Sequence, residues 1–239
     1  MNVGIQISSF KPLMTDAAGL DGVLSFMREI GCRYTALQWI GRAVPAGTIA
    51  ELLQKYGIKA TGVQDKTAGI MADREYYIEL CSLAGGDELC FSGVPNGDVQ
   101  SLMPKLDALE ERALAKGIHL SYHPVKADFA GAAEALLRMR PALRLTPDVC
   151  QIRDAGLDPA QFILSHSGRI DTVHFKDRNE SGALCSVGKG VTDFESALTA
   201  CLKAGAKLIL AEQETWTDAF GELKAGFEYT KALLLKRNA

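Results

Sequence analysis

Eight short apolar runs, each followed by a stretch of helical periodicity, recur along the chain and leave few architectures open to it. The runs begin near residues 2, 34, 59, 87, 118, 143, 170 and 207, roughly 25 to 37 residues apart. Strands that alternate with helices pair in parallel, and the helices must cover the outside of the sheet. Eight such units in 239 residues, close to the ~250 usual for the fold, predict one domain over 1–239, a single (β/α)8 TIM barrel. The competing doubly wound sheet rarely needs eight evenly spaced units. No Gly-x-Gly-x-x-Gly follows the first run to suggest it.

The expected strands are 2–8, 34–40, 59–65, 88–92, 118–123, 143–148, 169–177 and 207–212. Helices are expected over 18–30, 48–56, 73–84, 99–116, 130–139, 159–165, 193–204 and 220–235. The fourth is the clearest: Val99, Leu102, Met103, Leu106, Leu109, Ala113 and Leu114 keep a 3.6-residue period, with Asp98 as its cap and Gly117 past its end. The connection 179–190 carries glycines and no periodicity.

A net charge of −3 with no long Lys/Arg run gives no electrostatic drive toward nucleic acid or an anionic membrane. No apolar run approaches the ~20 residues that span a bilayer, and no apolar signal segment opens the chain. The six cysteines form no Cys-x-x-Cys pair and read as reduced thiols, so a cytoplasmic location is expected. A homo-oligomer is compatible with all of this.

In such a barrel the site lies where the strands end, at their C-terminal mouth. Alternation aims Gln6, Ser8, Gln38, Gln64, Ser92, Ser121, His123, Thr146, Asp148, His174, Lys176, Glu212 and Glu214 inward at those ends. Buried polar groups of this number must bind one another, water, a metal or a ligand. Asp148, His174 and Glu212 fall on three successive strands. Two carboxylates and an imidazole suit a divalent cation such as Mn²⁺, Mg²⁺, Co²⁺ or Zn²⁺. The plainer alternative is a satisfied core histidine beside a Lys176–Glu212 ion pair. His119 and His166 read as structural or exposed.

Several segments carry a resemblance. Asp148-Val-Cys-Gln-Ile-Arg-Asp-Ala-Gly-Leu-Asp-Pro159, Val173-His-Phe-Lys-Asp177, Val187-Gly-Lys-Gly-Val191, Leu210-Ala-Glu-Gln-Glu214 and Tyr122-His-Pro stand in order between residues 118 and 216. They resemble motifs of the xylose-isomerase-like barrels, specifically the sugar phosphate isomerase/epimerase group. The resemblance implies metal ligands at Asp148, His174 and Glu212, with Lys176 reaching a substrate oxygen or phosphate. It also marks a departure: many members carry a glutamate at the end of strand five, where this chain reads His123-Pro-Val-Lys-Ala-Asp128. His123 is the favoured fourth ligand and Asp128 the alternative.

The resemblance implies a metal-dependent isomerase or epimerase of a small-molecule sugar or sugar phosphate. It would abstract a proton next to a carbonyl, through an enediolate. Glu212 is then the general base, His123 an acid/base partner, and Gln38, Gln64 and Gln213 orient hydroxyls beside walls from Trp39 and Trp216. Lys176 is equally well read as a salt-bridge partner of Glu212 or Glu214. Competing readings are a metal-dependent dehydratase of a keto-polyol and a non-catalytic metabolite-binding barrel. A phosphodiester-cleaving zinc cluster would need more histidine than four residues supply.

Overall fold

The computed structural model describes residues 1–238. The strands are β1 (Asn2–Gln6), β2 (Tyr34–Leu37), β3 (Lys59–Lys66), β4 (Glu88–Ser92), β5 (His119–His123), β6 (Arg144–Leu145), β7 (Thr172–Phe175) and β8 (Leu208–Ala211). They pair in parallel, β1 with both β2 and β8, then successively from β2 to β6, and β8 with β7. Two parallel bridges, Leu145 with Ile170 and Asp148 with His174, join β6 to β7 and complete the ring. The protein is a single (β/α)8 barrel, as the eightfold repeat predicts.

Its helices form where apolar spacing and caps coincide. The helix Val99–Leu114 buries Val99, Leu102, Leu106, Leu109 and Ala113, and Asp98 accepts the Ser101 amide at 3.1 Å. Leu114, expected on the same face, lies exposed instead. The helix Ala17–Glu29 buries Leu20, Val23, Leu24 and Met27. Each fully buried side chain of this size adds about 1.5–3 kcal/mol of hydrophobic stabilisation. Most expected boundaries differ from the observed ones by one to three residues.

Three differences are larger. Residues 7–13, expected as strand end and linker, form a 3-10 segment, Ile7–Leu13. A short helix, Thr67–Ala72, follows β3. The sixth strand, expected to reach residue 148, stops at Leu145. A helix, Val149–Asp154, starts directly after Asp148, which caps it by accepting the Cys150 and Gln151 amides. One carboxylate at a helix start satisfies donors that otherwise lack partners.

The aperiodic connection after β7 is ordered by Asp177. Its carboxylate is fully buried and accepts the backbone N–H groups of Arg178, Gly188, Gly190 and Thr192 at 2.8–3.2 Å. The loop needs glycine twice. Gly188 has φ +86°, and a Cβ on Gly190 would run into the Arg178 carbonyl. A small antiparallel pair, Asp177–Arg178 with Leu184–Cys185, lies alongside.

Hydrogen bonds to a charged acceptor contribute about 1.5–3 kcal/mol each, and buried donors left unpaired add a penalty. Asp177→Ala is therefore expected to cost at least about 3 kcal/mol. For a chain this long that lowers Tm by roughly 6–12 °C. Thermal and urea unfolding measure this; an unchanged Tm would show that the carboxylate does not hold the loop.

Candidate active site

Because parallel strands lie inside a helical shell, their alternate side chains converge in the barrel, and those nearest the C-terminal ends meet at the mouth. A cavity of about 410 Å³ opens there. His123 from β5, Asp148 after β6, Lys176 after β7 and Glu212 after β8 form its floor, and all four are buried. Gln38, Gln64 and Ser92 line the opposite side, while Trp39, Val94, Pro95 and Val125 add apolar wall.

Glu212 organises the floor. Lys176 Nζ donates to Glu212 Oε1 at 2.8 Å and also to Glu214. His174 Nδ1 lies 2.8 Å from Glu212 Oε2, a close contact poorly aligned for a hydrogen bond. Burial alone would raise the Glu212 carboxyl. The positive charge of Lys176 and the nearby imidazole outweigh it and hold the carboxyl well below the usual carboxylate range. Burial would likewise lower Lys176, but Glu212, Asp148 and Glu214 hold it protonated. Asp148 is pushed up to about 6 by burial and by the charge of Glu212.

His123 Nδ1 lies 2.9 Å from the Thr146 carbonyl. A carbonyl only accepts, so Nδ1 carries the proton and Nε2 keeps its lone pair. Burial, reinforced by His174, lowers the His123 imidazole to about 3, which keeps it neutral. The two rings stand 5.1 Å apart between centroids.

The donor chemistry fits a divalent cation. His174 is fully buried with neither ring nitrogen in a well-aligned hydrogen bond, a costly state for an imidazole unless its lone pair meets a donor or a cation. Two ligand atoms of one ion held at about 2.1 Å lie about 3 Å apart and face the ion, not each other. That is the relation between His174 Nδ1 and Glu212 Oε2. Asp148 uses Oδ1 for the helix cap and leaves Oδ2 without a hydrogen bond. Among the described residues, however, no three His, Cys, Asp or Glu side chains are yet drawn together around a common point. Lys176 Nζ stands among the carboxylates instead.

The other expected site residues fall in different places. Gln38 and Gln64 line the cavity, and Gln64 is held by Gln6 and Ser92 at 3.2 Å each. Gln213 does not line it; its amide is spent on Glu222 and on the Glu214 N–H. Asp128 borders the cavity with both oxygens committed, Oδ1 to the Val94 N–H at 3.0 Å and Oδ2 to the Val125 N–H at 2.9 Å. It clamps the loops after β4 and β5 together. Trp39 lines the mouth with a left-handed backbone, φ +57°, while Trp216, also at φ +57°, is partly exposed outside the lining. His119 sits 3.7 Å from Glu88 below the site, and His166 bonds the Phe162 carbonyl.

Sequence reasoning missed Lys66, Thr67 and Gln151 in the lining. Lys66 was legible, since it stands two residues beyond Gln64 on β3 and so shares its face. Gln151 was legible too, since Asp148-Val-Cys-Gln151 has the spacing of a helix-capping box.

No family model and no curated protein matches the chain. Solved structures do. A sugar phosphate isomerase/epimerase from Parabacteroides distasonis ATCC 8503 superposes with a TM-score of 0.78 at 15% identity, covering 97% of this chain and 96% of the other. An L-ribulose 3-epimerase gives 0.76 at 18% identity, covering 99% and 95%. A D-allulose 3-epimerase from Methylomonas sp., in complex with D-allulose, gives 0.75 at 17% identity, covering 97% and 96%. Both chains are covered almost completely in each case, so the likeness concerns the whole barrel. The fold is that of the sugar phosphate isomerase/epimerase and xylose-isomerase-like TIM barrels.

Proposed function

We propose that this barrel is a divalent-metal-dependent isomerase or epimerase of a sugar or sugar phosphate, moving a proton on a carbon next to a carbonyl. The observation that carries the reading is Glu212, a buried carboxylate with one oxygen against the His174 imidazole and the other on Lys176, on the floor of an open cavity. The likeness to barrels that include one holding D-allulose supports a ketose as the kind of molecule bound.

Asp148, His174 and Glu212, with His123 as the fourth ligand, would hold the ion. When bound, it lends positive charge to adjacent carbonyl and hydroxyl oxygens and so acidifies the carbon-bound proton. The chain's own residues do the rest. Glu212 takes the proton as general base, and Lys176 offsets negative charge that develops on the substrate oxygen. His123, neutral and fixed by the Thr146 carbonyl, presents Nε2 as an acceptor. Gln38 and Gln64 orient hydroxyl groups. Trp39 closes one wall and excludes water from the reacting carbon.

Solvent-deuterium exchange tests this directly. Wild-type protein with Mn²⁺ is expected to exchange deuterium into a ketose from a panel, giving a product of unchanged mass apart from the label. Glu212→Gln is expected to lower the rate by about 10²–10⁴-fold with the fold intact by circular dichroism. Equal exchange in the variant would dismiss Glu212 as the base, and loss of water from the product would replace isomerisation by dehydration.

Metal binding has a separate readout. Mn²⁺ at about a hundred times its Kd is expected to stabilise the protein by ~2.7 kcal/mol, or roughly 5–11 °C in Tm. His174→Ala should remove that shift. A Tm indifferent to Mn²⁺, Mg²⁺, Co²⁺ and Zn²⁺ in the wild type would contradict the ligand assignment.

A further inference from the structure

We infer that Lys176 competes with a divalent cation for Glu212, and that Glu214 is the positioning residue that receives the displaced ammonium. The inference rests on the function proposed above and concerns how its cation site is regulated.

One ammonium is held on the floor by two carboxylates of unlike standing. Lys176 Nζ donates to Glu212 Oε1 at 2.8 Å and to Glu214 Oε2. Glu212 has His174 Nδ1 2.8 Å from its other oxygen, and Asp148 stands across the ring-closing bridge from His174. Among the described residues, Lys176 is the one side chain that bonds the Glu214 carboxylate. Glu212 is therefore divided between the lysine and the proposed ligand set, whereas Glu214 serves the lysine alone.

The second seat is built into the chain. Glu214 follows Glu212 by two residues, so the alternation of β8 carries on past its end, and both line the cavity. Between them Gln213 is pinned. Its N–H donates to Ser9 Oγ at 3.0 Å, its side-chain amide donates to Glu222, and its Oε1 accepts the Glu214 N–H at 2.8 Å. The Glu214 side chain is 18% exposed against 7% for Glu212, so its seat lies toward solvent.

Lysine suits such an exchange. Its ammonium is a point charge on a flexible four-carbon stem and needs no fixed fork of acceptors. Two cations on one carboxylate repel each other, and the repulsion falls as the ammonium moves off. Glu214 lets it move without leaving a buried charge unpaired, which would be costly.

Calorimetric titration with Mn²⁺ tests this without reference to turnover. Lys176→Met is expected to bind Mn²⁺ at least about tenfold tighter than the wild type, with Lys176→Gln as a second variant should the first not fold. Glu214→Gln, which leaves the ammonium only Glu212, is expected to bind about tenfold weaker. In the Lys176→Met background the same change is expected to alter Kd by less than about twofold. A Lys176 variant that binds no tighter than the wild type overturns the inference and leaves the cation site standing, because the lysine would then support Glu212 and not contest it. An unchanged Kd in Glu214→Gln overturns it too. So does a Glu214→Gln effect of equal size with and without Lys176, since Glu214 would then act on the ion directly. Failure of wild type and Lys176 variants alike to bind Mn²⁺ removes the cation site, and the inference with it.

Discussion

Glu212 serves two neighbours at once, and the arrangement of the mouth follows from that. Its Oε1 takes the Lys176 ammonium, and its Oε2 lies against the His174 ring. A buried carboxylate is tolerable only with compensation of this kind, and here it comes from β7, the strand paired with β8. The register that sets His174 beside Leu210 places Lys176 next to Glu212 at the strand ends. Parallel pairing and period-two alternation, continued one residue past the strands, therefore bring Lys176 to Glu212. Asp148 enters by the bridge that closes the ring, directly across from His174. The floor groups thus sit within three residues of the strand ends.

The remaining carboxylates hold backbone, and this division of labour shapes the chemistry. Asp177 gathers the loop after β7, Asp128 ties the loop after β4 to the one after β5, and Asp148 starts a helix with one of its oxygens. Asp128 and Asp148 each take N–H donors next to the cavity. Ionisable floor groups come from β5 to β8, whereas β1 to β4 supply Gln38, Gln64, Ser92 and, on the rim, Lys66, above a buried polar cluster of Glu88, Ser121 and Thr146. His123, where the resembling family places glutamate, is neutral and brings no negative charge to the floor.

Much of this was legible in the chain. The barrel follows from eight repeats, and the inward ring follows from alternation, because both periods are imposed by backbone geometry. Gln38, Gln64, His123, Asp148, Lys176 and Glu212 line the cavity where alternation aims them. His174 is also directed inward but sits sealed beneath the floor, and Gln213, the outward neighbour of Glu212, turns to Glu222. What escaped was local competition for hydrogen bonds. Asp148 reads as the end of a strand, but capping the following amides ends that strand early. Asp128 reads as a spare ligand, but two backbone donors claim it. The aperiodic stretch 179–190 reads as structureless because its order comes from one carboxylate, Asp177, which no periodicity reports. Such choices depend on which donors the fold brings near, and spacing along a chain does not encode that.

The proposed sharing of one cation by His174, Glu212 and Asp148 is tested most directly by anomalous diffraction at the manganese edge, from crystals grown with Mn²⁺. The expected result is a single strong peak within about 2.3 Å of a His174 ring nitrogen and of carboxylate oxygens from Glu212 and Asp148. Lys176 would be displaced toward Glu214. A map without a peak at that point, with Lys176 still seated on Glu212, would contradict the claim.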